Sequence, residues 1–236
     1  MVSELLIGAR GWQHPQWVAH FYPDDMPEDW RFSYYSNEFR AVLLPQAELL
    51  AADPATVQDW HDDIGDEFLF FIELDALDNW QACLERLAPL QVLVGGFVLR
   101  PTTCTVKVLE QCVPGLQQWA PVCLDEGVVQ ADAALLHFIR QHQVGCCWDA
   151  RHAAPAWREG DLSIALLEGG FDIEARQLRE ILENCLRGMR GKPCKALFVA
   201  GASGIRDISQ ADRESSAEAP SIETLQQAIQ LRDLME

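Results

Sequence analysis

The 236-residue chain carries 36 Asp and Glu against 18 Lys and Arg, a formal net charge of -18. Hydrophobic residues make up 49% and charged residues 23%, a globular composition that excludes wholesale disorder and is long enough for a sizeable core in one α/β barrel domain. With no run of Lys or Arg to offset the acidity, nucleic acids and anionic membranes are excluded as expected partners.

In chain order, short apolar runs bounded by charged or turn residues predict strands at Glu4–Ala9, Arg40–Leu44, Phe68–Leu74, Gln91–Leu99, Pro121–Asp125, Val144–Trp148, Leu162–Leu167 and Lys195–Ala200. Several are continuously apolar, as parallel strands covered on both faces must be. Amphipathic stretches lie between them. Leu77, Trp80, Leu84 and Leu87 share one helical face and Pro89 stops that helix. Ala131–His142 repeats the pattern, and Ile173–Arg190 is the strongest helix, with Gly191 beyond its end. Arg151–Gly160 predicts only a brief sixth helix, and Gly204–Pro220 reads as a flexible loop. Ser221 caps a last helix over 221–236.

Eight strand–helix units predict a single α/β domain over 1–236, a (β/α)8 TIM-type barrel with a shortened sixth βα unit. The rival, an open doubly wound sheet, lacks its glycine fingerprint after the first strand. The eight cysteines form no Cys-x-x-Cys spacing and lie mostly in apolar runs. They read as reduced thiols, the opening residues lack a signal-peptide pattern, and the expected location is cytoplasmic.

Leu5-Leu-Ile-Gly-Ala-Arg-Gly-Trp12, then Trp17, Phe21-Tyr-Pro23, Trp30 and Tyr34-Tyr35, together resemble the start of the YecE-like proteins, a family named as a domain of unknown function. Cys146-Cys-Trp-Asp149 is similar to that family's sixth strand. The resemblance implies a TIM barrel and supplies no activity. Two departures stand out. Leu43 and Pro45 occupy positions where the family carries a carboxylate and an amide, and Val122-Cys-Leu-Asp-Glu126 lacks the family's fifth-strand Arg and His.

Functional groups of such a barrel gather at the C-terminal ends of its strands. Trp148, Asp149, Arg151 and His152 form the densest polar and aromatic cluster there. Asp149 and His152 are the candidate catalytic acid or base, with Trp148 as a platform and Arg151 for an anionic group. The structural alternative makes Asp149 a helix cap and Trp148 core. Arg10, Trp12, His14 and Arg100, at the exits of the first and fourth strands, complete the expected ligand-binding set. Glu73 and Asp75, aimed to one side by strand alternation, with Asp125, Asp149 and Glu168 could hold a divalent cation, though the reading as a solvated acidic rim outweighs it.

The expected cofactor is therefore unknown and no metal ligand is assigned. The expected partner is a small phosphorylated or sugar-like molecule bound at the strand ends, with hydrolase or lyase chemistry. The alternative is a non-catalytic interaction or regulatory protein on a degenerate barrel, in which a protein takes the ligand's place as partner.

Overall fold

Strands that are apolar on both faces need cover on both, and the chain provides it by closing its sheet into a ring. The computed structural model describes residues 4–65, 67–129, 132–157, 159–169, 173–201 and 219–235. Eight parallel strands follow one another around a closed barrel: β1 (Leu6–Arg10), β2 (Ala41–Pro45), β3 (Leu69–Leu74), β4 (Val94–Leu99), β5 (Val122–Asp125), β6 (Gly145–Asp149), β7 (Leu162–Glu168) and β8 (Cys194–Ala200). β8 pairs with β1 from Leu6↔Ala196 to Ala9↔Val199 and completes the ring. All eight expected strands form, and the (β/α)8 expectation holds.

The helices among the described residues are α1 (Arg31–Glu38), α2 (Gln46–Ala51), α3 (Pro54–Asp62), α4 (Trp80–Arg86), α5 (Val106–Leu116), α6 (Glu126–Val129), α7 (Ala133–Gln141), α8 (Ala175–Gly188) and α9 (Ile222–Met235). Asp53 and Asp132 accept backbone N–H groups at the starts of α3 and α7, the local chemistry that begins both helices. The sixth unit departs from expectation. Among the described residues between β6 and β7 there is no helix. Asp149 Oδ1 accepts the Arg151 N–H and Asp149 O accepts the His152 N–H, so the chain turns instead. Gln91–Leu93 also leave the expected fourth strand for a 3-10 turn. Of the expected loop at 204–220, residues 204–218 lie outside the described residues.

Strand alternation sorts side chains into two cores. Ala41, Leu43, Phe71, Val98, Cys123, Cys147, Leu162, Ile164, Leu166, Ala196 and Phe198 fill the barrel interior, which is packed rather than hollow. The opposite parity, including Ile7, Val42, Phe70, Phe97 and Leu124, packs outward beneath the helices. All eight cysteines are free. Burial pushes the Cys123 and Cys147 thiols well above the usual range, so both act as small apolar fillers.

Beside β1 lies an aromatic cluster. Trp12 packs tilted against Phe32 and edge-on against Trp60, at 4.8 and 4.9 Å between ring centroids. Tyr35 Oη sits between the first two strands, accepting the Ala9 N–H at 2.9 Å and donating to Ala41 O at 2.8 Å. Gly8 makes that seam possible, because a Cβ there would lie 2.0 Å from Ala41 O. Among the described residues no helix is long and apolar enough to cross a membrane.

Replacing Tyr35 by Phe leaves two buried backbone groups without their shared partner. The expected cost is about 1–3 kcal/mol of unfolding free energy, measured by denaturant titration with the barrel's circular dichroism unchanged.

Candidate functional site

At the C-terminal rim the inward parity of the strands ends in Arg10, Pro45, Glu73, Arg100, Asp125, Asp149 and Glu168. The spacing follows from register: Pro45 pairs with Glu73, Asp125 with Cys147 and Asp149 with Leu166. Five of these seven positions belong to one connected ion-pair network. Arg100 Nε donates to Asp125 Oδ2 at 2.9 Å, Nη1 to Glu73 Oε1 at 2.8 Å and Nη2 to Glu168 Oε1 at 2.7 Å. Glu73 Oε2 in turn accepts from Arg10 Nε at 2.5 Å. The guanidinium fork thus joins strands β3, β5 and β7, and Glu73 extends the network to β1.

Electrostatics follow from that geometry. Burial alone would raise the Glu73 carboxyl, but Arg10 and Arg100 together outweigh it and hold Glu73 below the usual carboxylate range. Burial opposes the charge of Arg100, yet Glu73 and Asp125 hold it firmly protonated. The Arg100 side chain is only 17% exposed and that of Glu73 6%, so the pairs are desolvated and strongly interdependent.

Beside Arg100 opens a cavity of about 170 Å³ lined by Arg100, Asp125, Glu126, Gly127, Trp148, Asp149, Leu166 and Glu168. It is smaller than the ~300–1,000 Å³ typical of pockets for drug-sized ligands. Burial, followed by the neighbouring Asp125, pushes the Glu126 carboxyl up. Asp125 itself is oriented by the Gly127 N–H, which donates to its Oδ1 at 2.8 Å.

Of the residues expected from sequence, Arg100, Trp148 and Asp149 line this cavity. The Trp148 ring turns outward, 3.5 Å from where a Gly188 Cβ would lie, so Trp148 forms wall and core rather than an open platform. Arg151 and His152 stand at the rim against Asp149: Arg151 Nη2 donates to Glu168 O, and His152, 70% exposed, holds Nδ1 3.9 Å from Asp149 Oδ2. Arg10 joins only through Glu73. His14 is tucked behind it, its Nε2 2.9 Å from Arg10 O and its ring 4.6 Å from that of Trp17. Burial lowers the His14 pKa to about 4.

Trp12 corrects the expectation. Gly11 takes φ +73°, the chain swings outward, and Trp12 packs among α1 and α3 aromatics away from the cavity. Glu73 and Asp75 do not face the same way either. β3 ends at Leu74, so Asp75 is exposed beyond it while Glu73 is buried inward. Among the described residues no three His, Cys, Asp or Glu side chains converge as a metal site. The expectation underrated Glu73, Asp125, Glu126 and Glu168. The inward parity that Glu73, Asp125 and Glu168 share with Arg100, which follows β4, was the signal for those three.

Fold and site together define a parallel (β/α)8 barrel whose mouth is tied by an arginine-centred carboxylate cage. A family model described as protein of unknown function DUF72 matches residues 6–155, and the chain belongs to that family. Among solved structures it is similar to a DUF72 family protein of Enterococcus faecalis V583, with 11% identity and a TM-score of 0.63 over 97% of this chain and 95% of that one. It is also similar to a DUF72 family protein of Thermotoga maritima MSB8, with 14% identity and a TM-score of 0.58 over 83% and 91%. A D-psicose 3-epimerase crystallised in the presence of D-fructose shares the fold at 9% identity, with a TM-score of 0.57 over 98% of both chains. No curated protein matches the chain.

Replacing Arg100 by Ala strips Asp125 of its buried cation and leaves Glu73 with Arg10 alone, and a loss of about 3–5 kcal/mol in unfolding free energy is expected at neutral pH. The depressed Glu73 carboxyl contributes stability above its unfolded pKa of about 4.3 that is lost as pH falls through its lower folded value. Glu73→Gln is therefore expected to flatten that acid limb in urea titrations across the same range.

Proposed function

We propose that this DUF72 barrel binds a small, hydroxyl-rich, unphosphorylated molecule in the cavity beside Arg100. The observation that carries the reading is the lining itself: Asp125, Glu126, Asp149 and Glu168 face the cavity with one cation, Arg100, each of whose nitrogens already holds a carboxylate. Carboxylates accept hydrogen bonds from hydroxyl groups, whereas a phosphoryl dianion would meet an acidic wall and no unengaged cationic nitrogen. The phosphorylated half of the sequence expectation is therefore set aside in favour of the sugar-like half.

Hydrolase or lyase chemistry at this site would rest on proton transfer. Glu126 holds its proton to higher pH than a free carboxyl because of burial and its neighbour Asp125, which suits a general acid. Asp149, oriented by the Arg151 N–H on Oδ1, serves as the accepting partner, and His152 stands beside it at the rim. The eight free cysteines support a cytoplasmic setting. The N-terminal signature supports the narrower YecE-like reading within the family.

A second reading, a non-catalytic barrel that serves an interaction or regulatory role, draws on the filled interior and the saturated Arg100 cage. Isothermal titration with D-fructose and sorbitol separates the two. Binding is expected in the wild type. Asp149→Asn is expected to weaken it about tenfold while changing stability by less than about 0.5 kcal/mol, because Asn keeps the Oδ1 acceptor. Unchanged affinity removes Asp149 from the site, and absence of any polyol binding favours the non-catalytic barrel.

A further inference from the structure

The Arg10 side of the mouth differs from the Arg100 side in one respect that bears on ligand chemistry. Arg10 uses only Nε, on Glu73 Oε2. Among the described residues its Nη1 and Nη2 have no hydrogen-bond or ion-pair partner, and the side chain is 38% exposed. Arg100 spends all three nitrogens on carboxylates. Arg151 donates Nη2 to Glu168 O and keeps Nη1 within 3.8 Å of Asp149 Oδ1. Arg10 therefore presents the unoccupied end of a guanidinium fork, the pair of N–H groups that a carboxylate takes bidentately.

We propose that Arg10 is an anion-recognising subsite that takes the single carboxylate of a hydroxyl-rich ligand, a sugar acid, whose body lies in the cavity beside Arg100. This rests on the polyol reading above and narrows its ligand class. Glu73 fixes the distance between the two halves, because one of its oxygens holds Arg10 and the other Arg100. Pro45, in register with Glu73 on the intervening strand, brings no polar side chain to compete for either guanidinium.

The opposing group is Glu48. Its oxygens lie 3.2 and 3.3 Å from the position a Cβ on Gly11 would take, and His14 Nε2 lies 3.5 Å from it. Burial favours the neutral form of Glu48 and Glu73 adds to that, against the pull of Arg10. His14, with its pKa lowered to about 4, contributes no positive charge at neutral pH. A single guanidinium whose Nη pair is open while its Nε is held by Glu73 suits one negative charge, not the two of a phosphate monoester.

The test uses isothermal titration of the full chain with D-gluconate and D-galactonate, and with sorbitol and galactitol as the same bodies lacking the carboxylate. The wild type is expected to bind the aldonates about tenfold more tightly than the alditols. Arg10→Gln is expected to erase that preference, with far-UV circular dichroism and the thermal transition reporting that the variant is folded. A preference that survives in Arg10→Gln, or no preference in the wild type, overturns the Arg10 assignment while the polyol reading stands. Absence of binding by all four compounds overturns both. Inorganic phosphate bound through Arg10 more tightly than the aldonates overturns the carboxylate class.

Discussion

A single guanidinium governs the upper end of this barrel. Arg100 bonds to carboxylates from three other strands, and without it the inward alternation that fills the lower layers with Leu43, Phe71, Val98, Cys123 and Cys147 would end in mutually repelling acids. Coulomb repulsion between desolvated carboxylates a few ångströms apart is severe in a low-dielectric interior. The cage turns that repulsion into cohesion and seals the packed interior from solvent. On its β5–β7 side the guanidinium borders a cavity.

The N-terminal aromatic residues have a different task. Gly8, Gly11, Trp12, Trp17, Phe21, Tyr22 and Tyr35 belong to the family signature, yet apart from the close approach at Gly8 and the positive φ of Gly11 they serve packing. Tyr35 bridges β1 and β2, Trp12 rests on Phe32 and Trp60, and Tyr22 Oη donates to Trp12 O. A recognisable motif at the exit of a barrel strand invites a catalytic interpretation. Here most of its residues hold the strand in place; of the polar groups that face the mouth the N-terminal signature contains Arg10, and the others stand at positions it does not mark.

This explains what could be read from sequence and what could not. The eight strands were legible because each is a short apolar run with distinct flanks, and the ring follows from their number and spacing. The rim residues were legible as positions, since strand ends are marked by charge: Glu73, Arg100, Asp125, Asp149 and Glu168 all fall there. Their pairing was not, because it depends on which residues share inward parity after a bulge between β3 and β4 shifts the register. Asp75 and Trp12 failed for related reasons. Each lies one or two residues beyond a strand end, where alternation no longer sets direction. The missing sixth helix reflects competition that composition does not rank, since Asp149 caps a turn as readily as a helix.

The first strand is held from far along the chain. Trp17 Nε1 donates to Pro220 O and Arg232 Nη1 to Leu5 O, contacts that span 203 and 227 residues, and β1 also pairs with β8. Loop-closure entropy makes such contacts late events in folding. Until they form, a chain that has assembled β1 to β7 presents two unpaired parallel edges, apolar on both faces, at opposite ends of an incomplete sheet. Those edges invite pairing with another chain. The vulnerable moment in the life of this protein is therefore the interval before its last strand and helix arrive, and its large negative charge gives nascent molecules a mutual repulsion through that interval.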